Sequence, residues 1–225
     1  MEESLFALGL PPNLKRDPEG VTWALEWFGR DDHRDLRAGL GGQLAAALAK
    51  DDPARAMTWA ATHLSGASMA RAMAAVVASQ MRQDQEAAIA AVDALPPGGV
   101  RRQAGRALVM AMMREDPAGA VERALGDQRM EIDIGRSNWS RLGAAVGSKE
   151  PDLARQLLAD PPEGLSAVFE QQALDAIGRR DPGATLEWAA KLGDDRGTQI
   201  TKRVLGAWRA RDPMAARKWQ RQGSE

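Results

Sequence analysis

One dipeptide recurs along this chain and limits what it can fold into more than any other feature. Asp-Pro recurs at Asp17-Pro18, Asp52-Pro53, Asp116-Pro117, Asp181-Pro182 and Asp212-Pro213, two weaker copies, Asp84-Gln85 and Glu150-Pro151, fill the gaps, and a further Asp160-Pro161 belongs to a breaker, Asp160-Pro161-Pro162. The seven starts are separated by 35, 32, 32, 34, 31 and 31 residues. Asp is a strong helix N-cap, because its carboxylate accepts from the unpaired N–H groups of the first turn. Proline fits that turn, where its missing N–H is not needed. Each start therefore predicts the beginning of a helix, and the fixed period predicts an array of similar segments.

The residues before each start carry a second periodic signal. Eight positions back lie Leu44, Val76, Leu108, Leu142, Ala173 and Val204, all apolar. Four back lie Leu48, Gln80, Met112, Val146, Ile177 and Trp208, with one polar exception. Five back lie Ala47, Ser79, Ala111, Ala145, Ala176 and Ala207, all small. Spacings of three and four make one helical stripe, and a column that is always small is the expected place of closest helix–helix approach. Each copy then reads as two helices. The first opens at Asp-Pro, runs ~10 residues and ends at a breaker such as Ser65-Gly66, Pro96-Pro97 or Gly193-Asp194. The second runs ~14 residues to the next start.

Composition agrees with an all-α reading. The chain has 42 Ala but only 3 Phe, 7 Trp and no Tyr, so residues that favour a pleated surface are scarce and the best helix former dominates. An all-β fold is excluded. Near-balance of 30 Lys+Arg against 31 Asp+Glu, with 44% hydrophobic residues, argues against disorder. The expected fold class is an αα-hairpin repeat solenoid of about six and a half copies of 31–35 residues. Residues 1–16 would form an N-terminal segment and residues 17–225 a single repeat domain. The fourth copy departs most: Met130-Glu131-Ile132-Asp133-Ile134-Gly135 stands where a clean turn belongs, and a longer connection or a kink is expected there.

The stretch from Ala56 through Trp59 and Ala60 to Leu64, echoed less closely by Thr185-Leu186-Glu187-Trp188-Ala189, resembles a helix of the tetratricopeptide-like class of α-helical repeats. The resemblance covers most of residues 17–222. It implies a concave or lateral surface that binds another macromolecule, and it carries over no catalytic residue.

Little in the sequence points to chemistry. With no cysteine there is no disulfide, thiolate metal site or cysteine nucleophile. His63 ends a first helix and reads as packing. His33, in Asp31-Asp32-His33-Arg34-Asp35, matches no metal-ligand spacing and reads as a solvated turn. Gly39-Leu40-Gly41-Gly42 lacks the Lys-Ser/Thr of a phosphate loop and reads as close packing. No nucleophile elbow occurs. The chain is therefore expected to be non-enzymatic, with neither cofactor nor metal. No apolar run approaches the ~20 residues of a membrane span, and the acidic start Met1-Glu2-Glu3 is unlike a signal peptide. The expectation is a soluble protein, with the cytoplasm favoured.

Two groups of residues are candidates for binding a partner. Trp59, Trp188 and Trp219 recur six residues after the proline and read as packing, whereas Trp27, Phe28 and Trp139 fall outside that column. Trp is enriched at binding hot spots, so these three are candidate anchors; the other reading is that they fill irregular places. The second group is basic. Residues 196–225 carry eight basic and two acidic side chains, +6 in all, while residues 1–195 total −7. Lys202 and Arg209 point away from the apolar side formed by Ile200, Val204, Ala207 and Trp208, and Arg217, Lys218 and Arg221 cluster on the last helix. Such neighbours repel by a few tenths of a kcal/mol each, so helix stability does not explain them. A soluble cap on the array would. So would docking of an acidic protein surface or a phosphate backbone. The expected function is a protein–protein interaction or scaffold module; the alternative is a nucleic-acid-contacting subunit of a ribonucleoprotein that uses this basic end. The net charge of −1 and pI near 6.2 argue against a general nucleic-acid binder.

Overall fold

The computed structural model describes residues 26–27, 34–50, 52–126 and 134–222, with 34–39 and 222 as backbone only. The N-terminal segment 1–16, Phe28, His33 and residues 130–133 of the irregular connection lie outside the described residues. Among those described there are twelve helices and no strand; the fold is all-α.

The helix starts follow the dipeptide. Asp52, Asp84, Asp116, Asp181 and Asp212 each accept, through the side chain, the backbone N–H three residues on, at 2.8–2.9 Å. Asp84 does so without a following proline. Glu150 makes no side-chain cap bond; its carboxylate sits one methylene further out than that of Asp, and Glu lacks the Asp preference for this position.

The chain divides into two compact units. The first holds α1 (Arg34–Leu48), α2 (Pro53–His63), α3 (Gly66–Met81), α4 (Gln85–Asp93) and α5 (Gly99–Glu115) as far as Met112. Within it α2 packs on α1 and α3, α1 packs directly on α3, and α3 on α4. The second unit holds the last turn of α5, α6 (Pro117–Gly126), α7 (Arg136–Lys149), α8 (Pro151–Ala159), α9 (Ala167–Arg180), α10 (Pro182–Leu192), α11 (Asp195–Arg211) and α12 (Pro213–Gln222). Here α7 packs on α9 and α9 on α11, with α8 and α10 beside them and α12 on α11. In both units the second helix of one copy lies against the second helix of the next. Gly193, with φ +68, ends α10 in the left-handed conformation that glycine adopts at little cost.

The apolar columns line the cores. Leu44, Val76, Leu108, Leu142, Ala173 and Val204 are all buried, and so are Leu48, Gln80, Met112, Val146 and Ile177. The polar exception explains itself: Gln80 Nε2 donates to the Ala49 carbonyl at 2.6 Å, satisfying both a buried amide and one of the otherwise orphaned carbonyls at a helix end. Two further side chains do the same one copy apart. Arg180 donates to the Ser148 carbonyl at 2.7 Å, and Lys149 to the Arg114 carbonyl.

The small column differs from expectation. Five residues before the start, Ala47 and Ser79 are buried, but Ala111, Ala145 and Ala176 are half-buried and Ala207 is exposed. The column that is small and fully buried in every copy lies four residues after the start: Ala56, Ala88, Ala120, Ala154, Thr185 and Ala216. The closest approach between second helices is made by Gly143 and Gly147 of α7. A Cβ on Gly147 would lie 2.5 Å from the Ala173 carbonyl oxygen and 2.7 Å from Ala176 Cβ, and one on Gly143 would meet the Phe169 backbone. Glycine is needed there because backbone meets backbone.

Candidate functional site

The candidate anchors are core residues where they are described. Trp139 packs edge-on against Phe169 with ring centroids 6.0 Å apart, and only 9% of it is exposed. Trp27 is also buried. These positions correct the hot-spot reading: a ring already covered by its own chain has no face left for a partner. Of the repeating tryptophans, Trp59 is buried and tilts against His63 at 5.4 Å, and Trp219 lies 6.1 Å from Trp208 while its indole edges the first turn of α10 at Gly183. Packing is their role, as expected. Gly41, from the glycine-rich stretch, faces Leu64 so closely that a Cβ would lie 2.6 Å from Leu64 Cδ2.

The basic residues of α11 and α12 divide into two kinds. Arg196 pairs with Glu170 and also donates to the Leu158 carbonyl. Arg203 forks onto Asp175, with Nη2–Oδ1 at 3.1 Å. Both pairs cross from α11 to α9 at the partly exposed edge of the helix stack. Among the described residues Lys202, Arg211, Arg217, Lys218 and Arg221 are exposed with no ion pair, and Arg209 donates to the neutral Gln220 amide at 3.0 Å. Of the second kind, Lys202 and Arg209 are the two expected from sequence to face away from the apolar side, and Arg217, Lys218 and Arg221 are the cluster noted on the last helix. Pairing thus removes two of the eight cations and leaves a surface of uncompensated positive charge on the last two helices.

Met214, overlooked in the sequence, lies among these cations with 72% of its surface exposed. Only Met110 is comparable among the large described hydrophobics, at 40%. The signal for Met214 lay in its place two residues after Asp212, where the preceding copy carries Gly183.

Among the described residues no group of three or more His, Asp or Glu side chains is placed to hold a metal ion. No described helix is long and apolar enough to cross a membrane. The open cleft between α9 and α11 is lined by Leu174, Ile200 and the paired Arg196, Glu170 and Arg203, so its charges are already engaged with one another. No family model matches the chain, and no curated protein or solved structure is significantly similar to it.

Proposed function

We propose that the chain is a non-enzymatic protein–protein interaction module of the tetratricopeptide-like αα-solenoid class, which binds an acidic protein surface through the basic helices α11 and α12. The observation that carries this reading is the division of the cations. Where the helix stack needs arginine, a carboxylate answers it; Lys202, Arg217, Lys218 and Arg221 have none. Unanswered like charges on neighbouring turns cost stability, and an acidic partner would remove that cost while steering its own approach. Exposed cations would also suit a phosphate backbone, which is the second reading. The test is capture of proteins from cell extract on the immobilised chain, with and without nuclease, beside the triple variant Arg217→Gln, Lys218→Gln, Arg221→Gln. The proposal expects nuclease-resistant capture that the triple variant loses. Capture abolished by nuclease would overturn it in favour of nucleic acid.

A further inference from the structure

The stacked second helices of the second unit leave a groove between them whose free charge is all of one sign. Between α7 and α9, toward their C-terminal ends, lies an open cleft of about 500 Å³. Ala144 and Ala176 are its short, apolar floor, and Ser148, Gln172, Arg179 and Arg180 flank them. A smaller cleft of about 150 Å³ opens between the C-terminal halves of α9 and α11. Val204, Ala207 and the half-buried Trp208 line it, with Arg179 and Arg211 beside them. Arg179 lines both clefts, so the two run on from each other across α7, α9 and α11.

The polar groups differ in what they already hold. Ser148 Oγ donates to the Ala144 carbonyl and Arg180 Nη1 to the Ser148 carbonyl, each at 2.7 Å. Of the residues lining either cleft only Asp175 is acidic, and Arg203 takes it. Among the described residues the side chains of Gln172, Arg179 and Arg211 have no hydrogen-bond or ion-pair partner. A cation near a helix C-terminus suits the dipole, which accounts for where Arg179 and Arg211 stand. The groove adds two things: a second unpaired guanidinium on the neighbouring helix, and apolar surface between the two. A carboxylate entering there sheds part of its water and meets donors that form strong, charge-assisted bonds.

Spacing narrows the occupant. Packed helices lie ~8–10 Å apart. A polyproline II chain repeats every three residues, or ~9 Å, so its residues i and i+3 would stand over equivalent points of α9 and α11. Carboxylates at those two positions can answer Arg179 and Arg211 while small side chains between them rest on the alanine floor. Such a chain is also stiff before it binds and loses little entropy on docking. A phosphodiester strand suits the groove less, because it carries charge at every residue and would press one phosphate against Asp175.

We propose that the groove across α7, α9 and α11 binds an extended acidic segment of a partner protein, in polyproline II form, through Arg179 and Arg211. This rests on the interaction-module reading above and adds the place and the conformation in which the partner's acidic chain is held.

The test uses the full chain and a fluorescein-labelled peptide of repeated Glu-Pro-Ala, read by fluorescence anisotropy. Controls are repeated Lys-Pro-Ala, a peptide of the same composition with its Glu residues contiguous, and a single-stranded DNA oligonucleotide. The Glu-Pro-Ala peptide should bind saturably and more tightly than all three. Arg179→Gln with Arg211→Gln should weaken it at least about tenfold with an unchanged thermal melt, since both side chains are exposed and unpaired. Ala207→Phe, which fills the smaller cleft without altering charge, should weaken it too. Lys202→Gln with Arg217→Gln removes the same charge outside the two clefts and should leave binding near that of the parent. Equal loss in this last variant, indifference to the Arg179 and Arg211 changes or to Ala207→Phe, or equal binding of the contiguous-Glu peptide or the oligonucleotide, would overturn the proposal. The capture experiment separates the two readings. Nuclease-resistant capture that survives Arg179→Gln with Arg211→Gln but not the triple variant refutes the groove while the interaction module stands.

Discussion

Gly147 and Gly206 let one substitution be tried in two opposite settings on the same stack. At Gly147 an added methyl would lie 2.5 Å from the Ala173 carbonyl oxygen, 2.7 Å from Ala176 Cβ and 3.1 Å from Ala173 Cα. Carbon contacts settle at ~3.5–4.0 Å, so α7 and α9 would have to part by about 1 Å. The obstructing atoms are backbone and a Cβ, which no rotamer change can move. Overpacking costs roughly 1–3 kcal/mol, and about 2–3 kcal/mol where backbone atoms block relief as they do here, against about 1 kcal/mol regained because alanine is the better helix former. Gly147→Ala should therefore lose about 1–2 kcal/mol. At Gly206 nothing lies within 4 Å, so Gly206→Ala keeps the propensity gain and should be stabilising by ~0.5–1 kcal/mol. The two variants should differ by ~2–3 kcal/mol, or roughly 5–10 °C in melting temperature for a chain of this size. Both sites lie in the second compact unit, so circular dichroism melts and urea titrations read them on the same transition. A Gly147→Ala protein that melts at or above Gly206→Ala would refute the close approach of α7 and α9.

Three further outcomes follow from the same geometry. Asp181→Ala removes the bond to the Ala184 N–H and should cost ~1 kcal/mol in urea unfolding, whereas Glu150→Ala removes no cap bond and should cost much less. Ala176→Leu, opposite Gly147, should lose ~1–3 kcal/mol, and Ala54→Leu, on an exposed first turn, should change stability by less than about 0.5 kcal/mol; equal effects would mean the buried face is misplaced. The Arg217→Gln, Lys218→Gln, Arg221→Gln variant should melt like the parent and flatten the salt dependence of partner binding, since these side chains are exposed without ion pairs; an unchanged salt dependence would mark them as a soluble cap.

What could be read from the sequence was whatever is decided locally. An N-cap is a contact three residues long, so the aspartates announced the helix starts, and Asp84 did so even without its proline. The columns four and eight residues back are one helix's own stripe, and all but the half-buried Trp208 are buried as the period implied. What could not be read depends on a neighbour ~30 residues away. Small size suits a close contact and is equally tolerated at a half-covered edge, so the alanines five residues back look alike in sequence, although Ala176 stands in the tight seam against Gly147 and Ala207 is exposed. Trp139 looked like an outlier because its partner, Phe169, belongs to the next copy. The free cations were legible as a charge excess. Which of them the stack consumes was not, because Glu170 and Asp175 had first to be placed opposite Arg196 and Arg203.

The account of the helix stack stands or falls with the register of α9 on α11, which the Arg196–Glu170 and Arg203–Asp175 pairs and the Gly178–Val204 approach define. The chain has no cysteine, so the register can be tested by oxidising a single introduced pair. Gly178→Cys with Val204→Cys would place the two Cβ atoms 3.9 Å apart across α9 and α11, within the roughly 3.5–4.5 Å that a disulfide spans. This pair should form an intramolecular disulfide rapidly under mild oxidation, while Gly147→Cys with Gly206→Cys should remain reduced. Failure of the first pair to close in folded protein, or closure of the second at a comparable rate, would contradict the stack.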